Sequence, residues 1–559
     1  MAKVKIRTRC GPGTARQKWG AVKFLFLLIV VAAFNIVPLA EEKAVPVSYD
    51  LKVRIEPKQG TIAVRGRIVV PVEAGAKTLQ FGLHETFAIR KLLVNGRRAT
   101  FSTQPGDPSP FFPATRKVLV NLPAPIASGN ALVELEYSGR LKEIPEFGTY
   151  PDQKQAMDDQ INSRLVELAN YSSWYPQFFV YGHPIQPTLE VSLPKGWIAI
   201  CSGKKLDEQE EDGRPVTRWS SPLDDDILIA AAPNYKRKVI PVSDGQIEIY
   251  YTQLPEEFIN REGGEIAAVM GLFTQELGST TIPSGTVKHV FSPKRKGQGR
   301  AGIARPGMIV TSEGRLLEAL AKDPKFSLLQ DVAHEIAHFW WDFGVGQGDW
   351  INEAFAEYWS AVAVERIVSE EEFQKVLEGY RREVSDLPAD APSLAKVPFD
   401  GSGFVVRYYK GSLMLDSIRK TMGNGSFYAA AREFFQTYKG KSIGTAEFRS
   451  FWKQRLGDTG ALIDLWLDSV GGLPRIEKSA LPLCEDNLVA EGTFDCARYI
   501  PACLFHQSTE SRQAARTYGG ATSLVQHASW LIISSYRSDH GKNRLRIAEG
   551  SQVFQNLLI

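Results

Sequence analysis

From about residue 45 to residue 251, apolar and polar positions exchange every second residue over short runs. Val47-Ser-Tyr-Asp-Leu-Lys-Val-Arg-Ile alternates imperfectly, and Leu132-Val-Glu-Leu-Glu-Tyr almost strictly. Successive side chains of an extended strand point to opposite faces, so these runs predict half-buried strands. Pro and Gly punctuate them, as in Pro105-Gly-Asp-Pro and Pro194-Lys-Gly, and the whole stretch reads as an all-β layer of sandwich type. A helical period then takes over. It begins with Glu265-Ile-Ala-Ala-Val-Met-Gly-Leu-Phe and continues through an apolar stripe of Leu328, Leu329, Val332, Ile336 and Phe339. Further helical runs cover 350–359, 371–384, 413–422 and 426–438, and the region closes at Pro474. Strand-like segments such as 528–536 return after residue 475. The expected organisation is a multidomain α+β chain: 45–255 all-β, 256–474 mainly helical, and 475–559 a small β domain. It shows no internal repeat or low-complexity tract.

The 559 residues allow about three or four domains and an ample buried core. With 43% hydrophobic and 23% charged residues, the composition is that of an ordinary globular protein. A net charge of +3, without a basic stripe interleaved with aromatics, implies no nucleic-acid partner. Residues 1–40 read as a targeting segment. Lys3, Lys5, Arg7, Arg9, Arg16, Lys18 and Lys23 precede the apolar run 24–34, the order of a secretory signal. Ala40 offers a cleavage point, although Pro38 is a poor match at the −3 position. Extended to residue 40, the apolar stretch reaches about 17 residues, the lower limit for a spanning helix, so an amino-terminal membrane anchor is the alternative. Either places the rest of the chain outside the cytoplasm, exported or periplasmic. The cysteine count fits: beyond Cys10 there are Cys201, Cys484, Cys496 and Cys503, and one disulfide among the last three is compatible with their clustering.

Candidate chemistry concentrates at His334-Glu335-Ile-Ala-His338. On a helix, positions i and i+4 share one face, so both imidazoles can reach a single metal ion. Glu335 then stands where a general base belongs. A closed structural zinc site would take four protein ligands, usually including Cys, and no Cys lies within a hundred residues of the motif. A catalytic zinc keeps one position open and needs one more ligand. The helix-like run Trp350-Ile-Asn-Glu353-Ala-Phe-Ala-Glu357-Tyr358 offers two carboxylates, four residues apart on one face.

His-Glu-Ile-Ala-His followed by Trp-Ile-Asn-Glu-Ala-Phe-Ala-Glu-Tyr resembles the zinc aminopeptidases of the membrane alanyl aminopeptidase and leukotriene hydrolase family, the gluzincins. The resemblance covers about residues 45–474 and is most specific from 302 to 411. It implies an amino-terminal β-sandwich, a thermolysin-like, mainly helical catalytic domain and one Zn²⁺ per chain. The family's word Asn-Glu-Gly-Phe-Ala puts the third ligand at Glu353, whereas its usual spacing, four residues longer, lands on Glu357. A surface loop can lose four residues without moving the helix after it, so Glu353 is preferred as ligand and Glu357 as a carboxylate orienting an imidazole. Tyr408-Tyr409-Lys410-Gly411 matches the family's Tyr-x-Lys-Gly, which implies that Tyr408, or failing it Tyr409, hydrogen-bonds the tetrahedral intermediate.

One segment departs from the family. Where relatives carry Gly-Ala-Met-Glu-Asn-Pro-Gly, whose Glu grips the substrate's amino group, this chain has Ala301-Gly-Ile-Ala304-Arg305-Pro-Gly307. Ala304 replaces the Glu, and the Arg305 cation would repel an α-ammonium. The segment Glu167-Leu-Ala-Asn-Tyr-Ser-Ser-Trp-Tyr-Pro176 aligns Glu167 with a second amine-contacting position, which makes it a candidate substrate-binding residue. The resulting expectation is zinc-dependent, aminopeptidase-like hydrolysis of peptides. A metallo-endopeptidase or altered end preference is one alternative, and a non-catalytic peptide-binding protein on the same fold the other.

Overall fold

The computed structural model describes residues 45–474, except 107–111, 113, 127–128, 142–146, 151–152, 156–158, 179–182, 243–244, 281, 283–284, 295–301, 343, 345–347 and 399–402. The expected targeting segment, the expected small β domain, Cys10, Cys484, Cys496 and Cys503 lie outside the described residues. Among the described residues no helix is long and apolar enough to cross a membrane.

In the first layer, sequence alternation becomes burial alternation. Ile62, Val64, Ile68 and Val70 of the strand Thr61–Pro71 are buried, while Ala63, Arg65, Arg67 and Val69 face outward. This strand runs antiparallel to Val47–Glu56, and Gly60, at φ 67°, makes the turn that joins them. Val47–Glu56 pairs in parallel with Ile185–Ser192 on its other side, within an eight-stranded sheet. Leu51, Val53, Val133 and Leu135 from that sheet share one core with Phe81 and Val118 of a three-stranded sheet and Leu168, Ile229 and Ala231 of a four-stranded sheet. Facing apolar sides of separate sheets over a common core make a sandwich, and each buried aliphatic side chain contributes about 1.5–3 kcal/mol.

The second layer is built on a mixed five-stranded sheet in the order Lys236–Val242, Gly245–Tyr251, Thr286–Ser292, Met308–Ser312, Ile303–Arg305. Hydrogen bonding therefore changes sheets near residue 235. Residues 236–251 alternate like the strands before them, but Gly245–Tyr251 pairs in parallel with Thr286–Ser292. The short strand Ile303–Arg305 ends this sheet as an edge, bonded on one side to Met308–Ser312.

Nine helices among the described residues follow the sheet or intersperse it: α1 Glu256–Leu277, α2 Glu313–Lys322, α3 Leu329–Ala337, α4 Trp350–Ile367, α5 Glu370–Ser385, α6 Gly411–Met422, α7 Asn424–Tyr438, α8 Thr445–Leu456 and α9 Ala461–Asp468. Ser369 caps α5, its hydroxyl accepting the Glu372 N–H. Helix α4 is apolar nearly all round, with Trp350, Phe355, Tyr358, Trp359 and Val362 buried, and a helix without a polar face belongs in the interior. It packs against α3, α5, α6 and the turn Val406–Lys410. Cys201, the cysteine among the described residues, is buried and unbridged.

Candidate metal and catalytic site

Helices α3 and α4 bring their polar residues together where the two cross. His334 and His338 meet edge to face, ring centroids 5.0 Å apart, and one ligand atom from each lies within 4.8 Å of a Glu353 carboxylate oxygen and of the other. His334 Nε2 is 3.4 Å and His338 Nε2 3.7 Å from Glu353 Oε2.

The far side of each ring fixes what faces the centre. His338 Nδ1 lies 3.2 Å from the Trp341 carbonyl, which can only accept, so the hydrogen sits on Nδ1 and Nε2 presents a lone pair. His334 Nδ1 faces Glu357 Oε2 at 2.8 Å, and the same logic applies when Glu357 is ionised. Glu357 Oε1 meanwhile accepts from the Tyr380 hydroxyl at 2.6 Å. Of the two glutamates offered by the sequence, Glu357 therefore spends its oxygens behind the ring and Glu353 faces the cluster.

Glu353 Oε2 is buried and accepts no hydrogen bond of normal geometry. Two imidazole nitrogens and an orphaned carboxylate oxygen converging on one point are, once both rings are neutral, the donor set a catalytic zinc takes. His334, His338 and Glu353 fit that ion. Protonation reflects the crowding. Burial would raise the Glu353 carboxyl, but the facing His334 and His338 and the Arg407 charge bring it down to about 2. Burial opposes the charged form of His334, yet Glu353 and Glu357 outweigh it and hold its pKa well above the usual value.

Glu335 follows His334 on α3. Burial pushes its carboxyl up to about 7, with the Glu353 charge adding to the rise and His334 opposing it. A base near neutrality suits proton transfer at physiological pH. Gly302, beside the edge strand, comes so close that a Cβ there would meet the Glu335 carboxylate. The edge strand is thus held alongside the glutamate.

Tyr408 stands on the other side of His334, its ring parallel to the imidazole at 5.6 Å and 3°. It sits mid-way through a π-turn, Val406–Lys410, an uncommon backbone form that recurs at functional sites. Tyr409 is buried, its ring stacked on Tyr380 at 4.7 Å. Gly411 is required by contact: a Cβ would meet Ala354 Cβ at 2.5 Å.

Glu167 is buried on the strand Val166–Leu168, and its Oε1 accepts from Lys294 Nζ at 2.7 Å. The carboxylate aligned with an amine-contacting position already holds an ammonium. Ala304 is buried in the helical domain's core. Arg305, expected to repel an α-ammonium, is buried with Nε 3.2 Å from Asp226 Oδ2, so its charge is largely met inside the protein. Sequence reasoning passed over Gly302, Tyr380, and the pair Asp349 and Arg407, whose Nη1 and Oδ2 lie 2.6 Å apart. Their partners stand many residues away, so no local pattern announces them.

The description peptidase family M1 domain matches residues 299–466. Among solved structures, an M1 zinc metallopeptidase from Deinococcus radiodurans is similar at 18% identity, covering 78% of this chain and 95% of that one, with a TM-score of 0.62. A mutant of that organism's M1 zinc metallopeptidase bound to a Tyr-Ser-Ala substrate is similar at 17% identity, covering 78% and 96%, with a TM-score of 0.61. A two-domain M1 zinc metallopeptidase mutant bound to L-arginine gives 17% identity, the same coverage and a TM-score of 0.60. At these identities the likeness is one of fold.

Proposed function

This chain belongs to the M1 zinc metallopeptidases, the gluzincins, and we propose that it removes residues from the amino-terminal side of peptides with little demand for a free α-amino group. The observation that carries the peptidase reading is the convergence of His334, His338 and Glu353 with Glu335 beside them. The M1 neighbours bound to a Tyr-Ser-Ala peptide and to L-arginine support short peptides as the substrate class.

The zinc that His334, His338 and Glu353 would hold would supply Lewis acidity, lowering the pKa of water and polarising the scissile carbonyl. The chain's own groups do the rest. Glu335 accepts a proton from the attacking water and delivers it to the leaving amine. The Tyr408 hydroxyl donates to the oxygen on which charge develops. Glu357 and the Trp341 carbonyl keep both imidazoles in one tautomer and orientation. Among the described residues Ile303–Arg305 is the last strand of its sheet, and an extended peptide would lie along it past Glu335.

Two observations favour the weak demand for a free amino terminus. Ala304 removes the carboxylate that relatives use, and Glu167, the remaining candidate, is bonded to Lys294. An ammonium without a paired anion is costly to desolvate, so the free end adds little binding energy. The placement outside the cytoplasm is part of the same proposal and rests on the charged and apolar pattern of residues 1–40. Hydrolysis of one peptide with its amino terminus free and acetylated tests the specificity. Comparable rates are expected; cleavage of the free form alone, one residue at a time, would restore a conventional aminopeptidase.

A further inference from the structure

Tyr408 and the ligand Glu353 come from segments more than fifty residues apart in the chain, yet both must act on the same carbonyl. Between them lies a buried ion pair. Asp349, the residue at which α4 begins, receives the Glu353 N–H on its carbonyl, so the two belong to one helical turn. Arg407 immediately precedes Tyr408 in the π-turn and donates through Nη1 to Asp349 Oδ2 at 2.6 Å. Both side chains are at least nine-tenths buried, at 5% and 10% exposure. The guanidinium carbon is 5.8 Å from the centre of the Tyr408 ring.

Ser412 Oγ reaches the Tyr408 carbonyl at 2.7 Å, and Lys410 Nζ donates to the Ser469 and Gly471 carbonyls at 2.7 and 2.8 Å. The turn is therefore tied to the body of the domain at its far end, and to the metal-ligand helix by Arg407. A buried ion pair of this kind adds little net stability, because desolvation offsets most of its attraction. Its short, charge-assisted contact instead fixes one geometry between two elements.

We propose that Asp349 and Arg407 are positioning residues that lock the Tyr408 hydroxyl in register with Glu353. The pair acts through Tyr408 and rests on the donor role given to that tyrosine above. Without the pair the π-turn and α4 keep their packing, but the hydroxyl loses its fixed distance from the carbonyl, and misplacement of about 1 Å costs on the order of 10² in rate.

The test is a double-mutant cycle on the zinc-loaded full chain, using Arg407→Met, Tyr408→Phe and the combination, with kcat, KM, zinc stoichiometry and melting temperature read for each. Arg407→Met is expected to lower kcat by about 10²-fold with KM changed less than threefold and one zinc retained. In the Tyr408→Phe background it should have almost no further effect, because the group it positions is gone. Asp349→Asn should follow the same pattern, and Arg407→Lys, which keeps the charge, should recover part of kcat. Multiplicative losses in the combined variant, or a fall in melting temperature without a kcat-specific loss, would overturn the clamp. Full activity in Tyr408→Phe alone would instead strike the tyrosine's assigned role, leaving the pair nothing to position. Should Arg407→Met fail to fold, Arg407→Lys and Asp349→Asn carry the same cycle.

Discussion

His334 Nδ1 lies 2.8 Å from Glu357 Oε2, and this contact assigns the two glutamates of α4 their different roles. It turns the ring so that Nε2 faces Glu353, and it occupies the carboxylate that a count along the chain would have chosen as ligand.

Glu353→Ala should therefore lose stoichiometric zinc, whereas Glu357→Gln should keep it with affinity weakened about 10–100-fold, as for loss of a group supporting a ligand. Metal content of the two purified variants decides the matter. Zinc lost from the Glu357 variant but retained by the Glu353 variant would reverse the roles.

Zinc affinity should also fall as pH is lowered. Glu353 and Glu357 hold the His334 pKa well above its ordinary value, so below that pKa a proton occupies the ring and must leave before the metal binds. Glu357→Gln removes one of the two carboxylates responsible and should move the fall in affinity to lower pH. A zinc titration across pH that is unchanged by the substitution would count against this linkage.

Glu335→Gln should abolish turnover with zinc still bound, since it removes a base without touching a ligand. Substantial hydrolysis by the zinc-replete variant would mean that another group takes the proton.

Tyr408→Phe should lower kcat by about 10²–10³-fold, the usual cost of one oxyanion donor, with KM less affected. Tyr409→Phe, altering a ring buried on Tyr380, should leave kcat nearly unchanged. A crippled Tyr409 variant beside an active Tyr408 variant would shift the role by one residue.

Lys294→Met should release Glu167 and raise the ratio of free to acetylated peptide hydrolysed. The ratio is read from competing substrates in one reaction. If it does not move, Glu167 does not line the part of the cleft where the amino end lies.

The site was legible where its logic is local. Spacing on one helix face is enough to pair His334 with His338, and the word around Glu353 survived a loop of unexpected length because packing on α4, not loop length, sets which side chains face α3. The alternation of strands such as Thr61–Pro71 was equally readable. Alternation reports which face is buried but not which sheet a strand joins, and so nothing in 236–251 announced the pairing of Gly245–Tyr251 with Thr286–Ser292. Contacts between distant segments left no trace in the pattern. Tyr380 behind Glu357, Lys294 on Glu167 and Asp226 on Arg305 are tertiary pairings, and the last two change the electrostatics that Ala304 and Arg305 alone suggested.

The most direct test of a single zinc held by His334, His338 and Glu353 and driving peptide hydrolysis is a metal titration. The full chain is stripped with a chelator, and zinc is returned in increments while peptide turnover is followed. Turnover should vanish on stripping and rise linearly to a plateau at one zinc per chain. Turnover that survives complete metal removal, or a chain that takes up one zinc and still cleaves no peptide, would contradict the account.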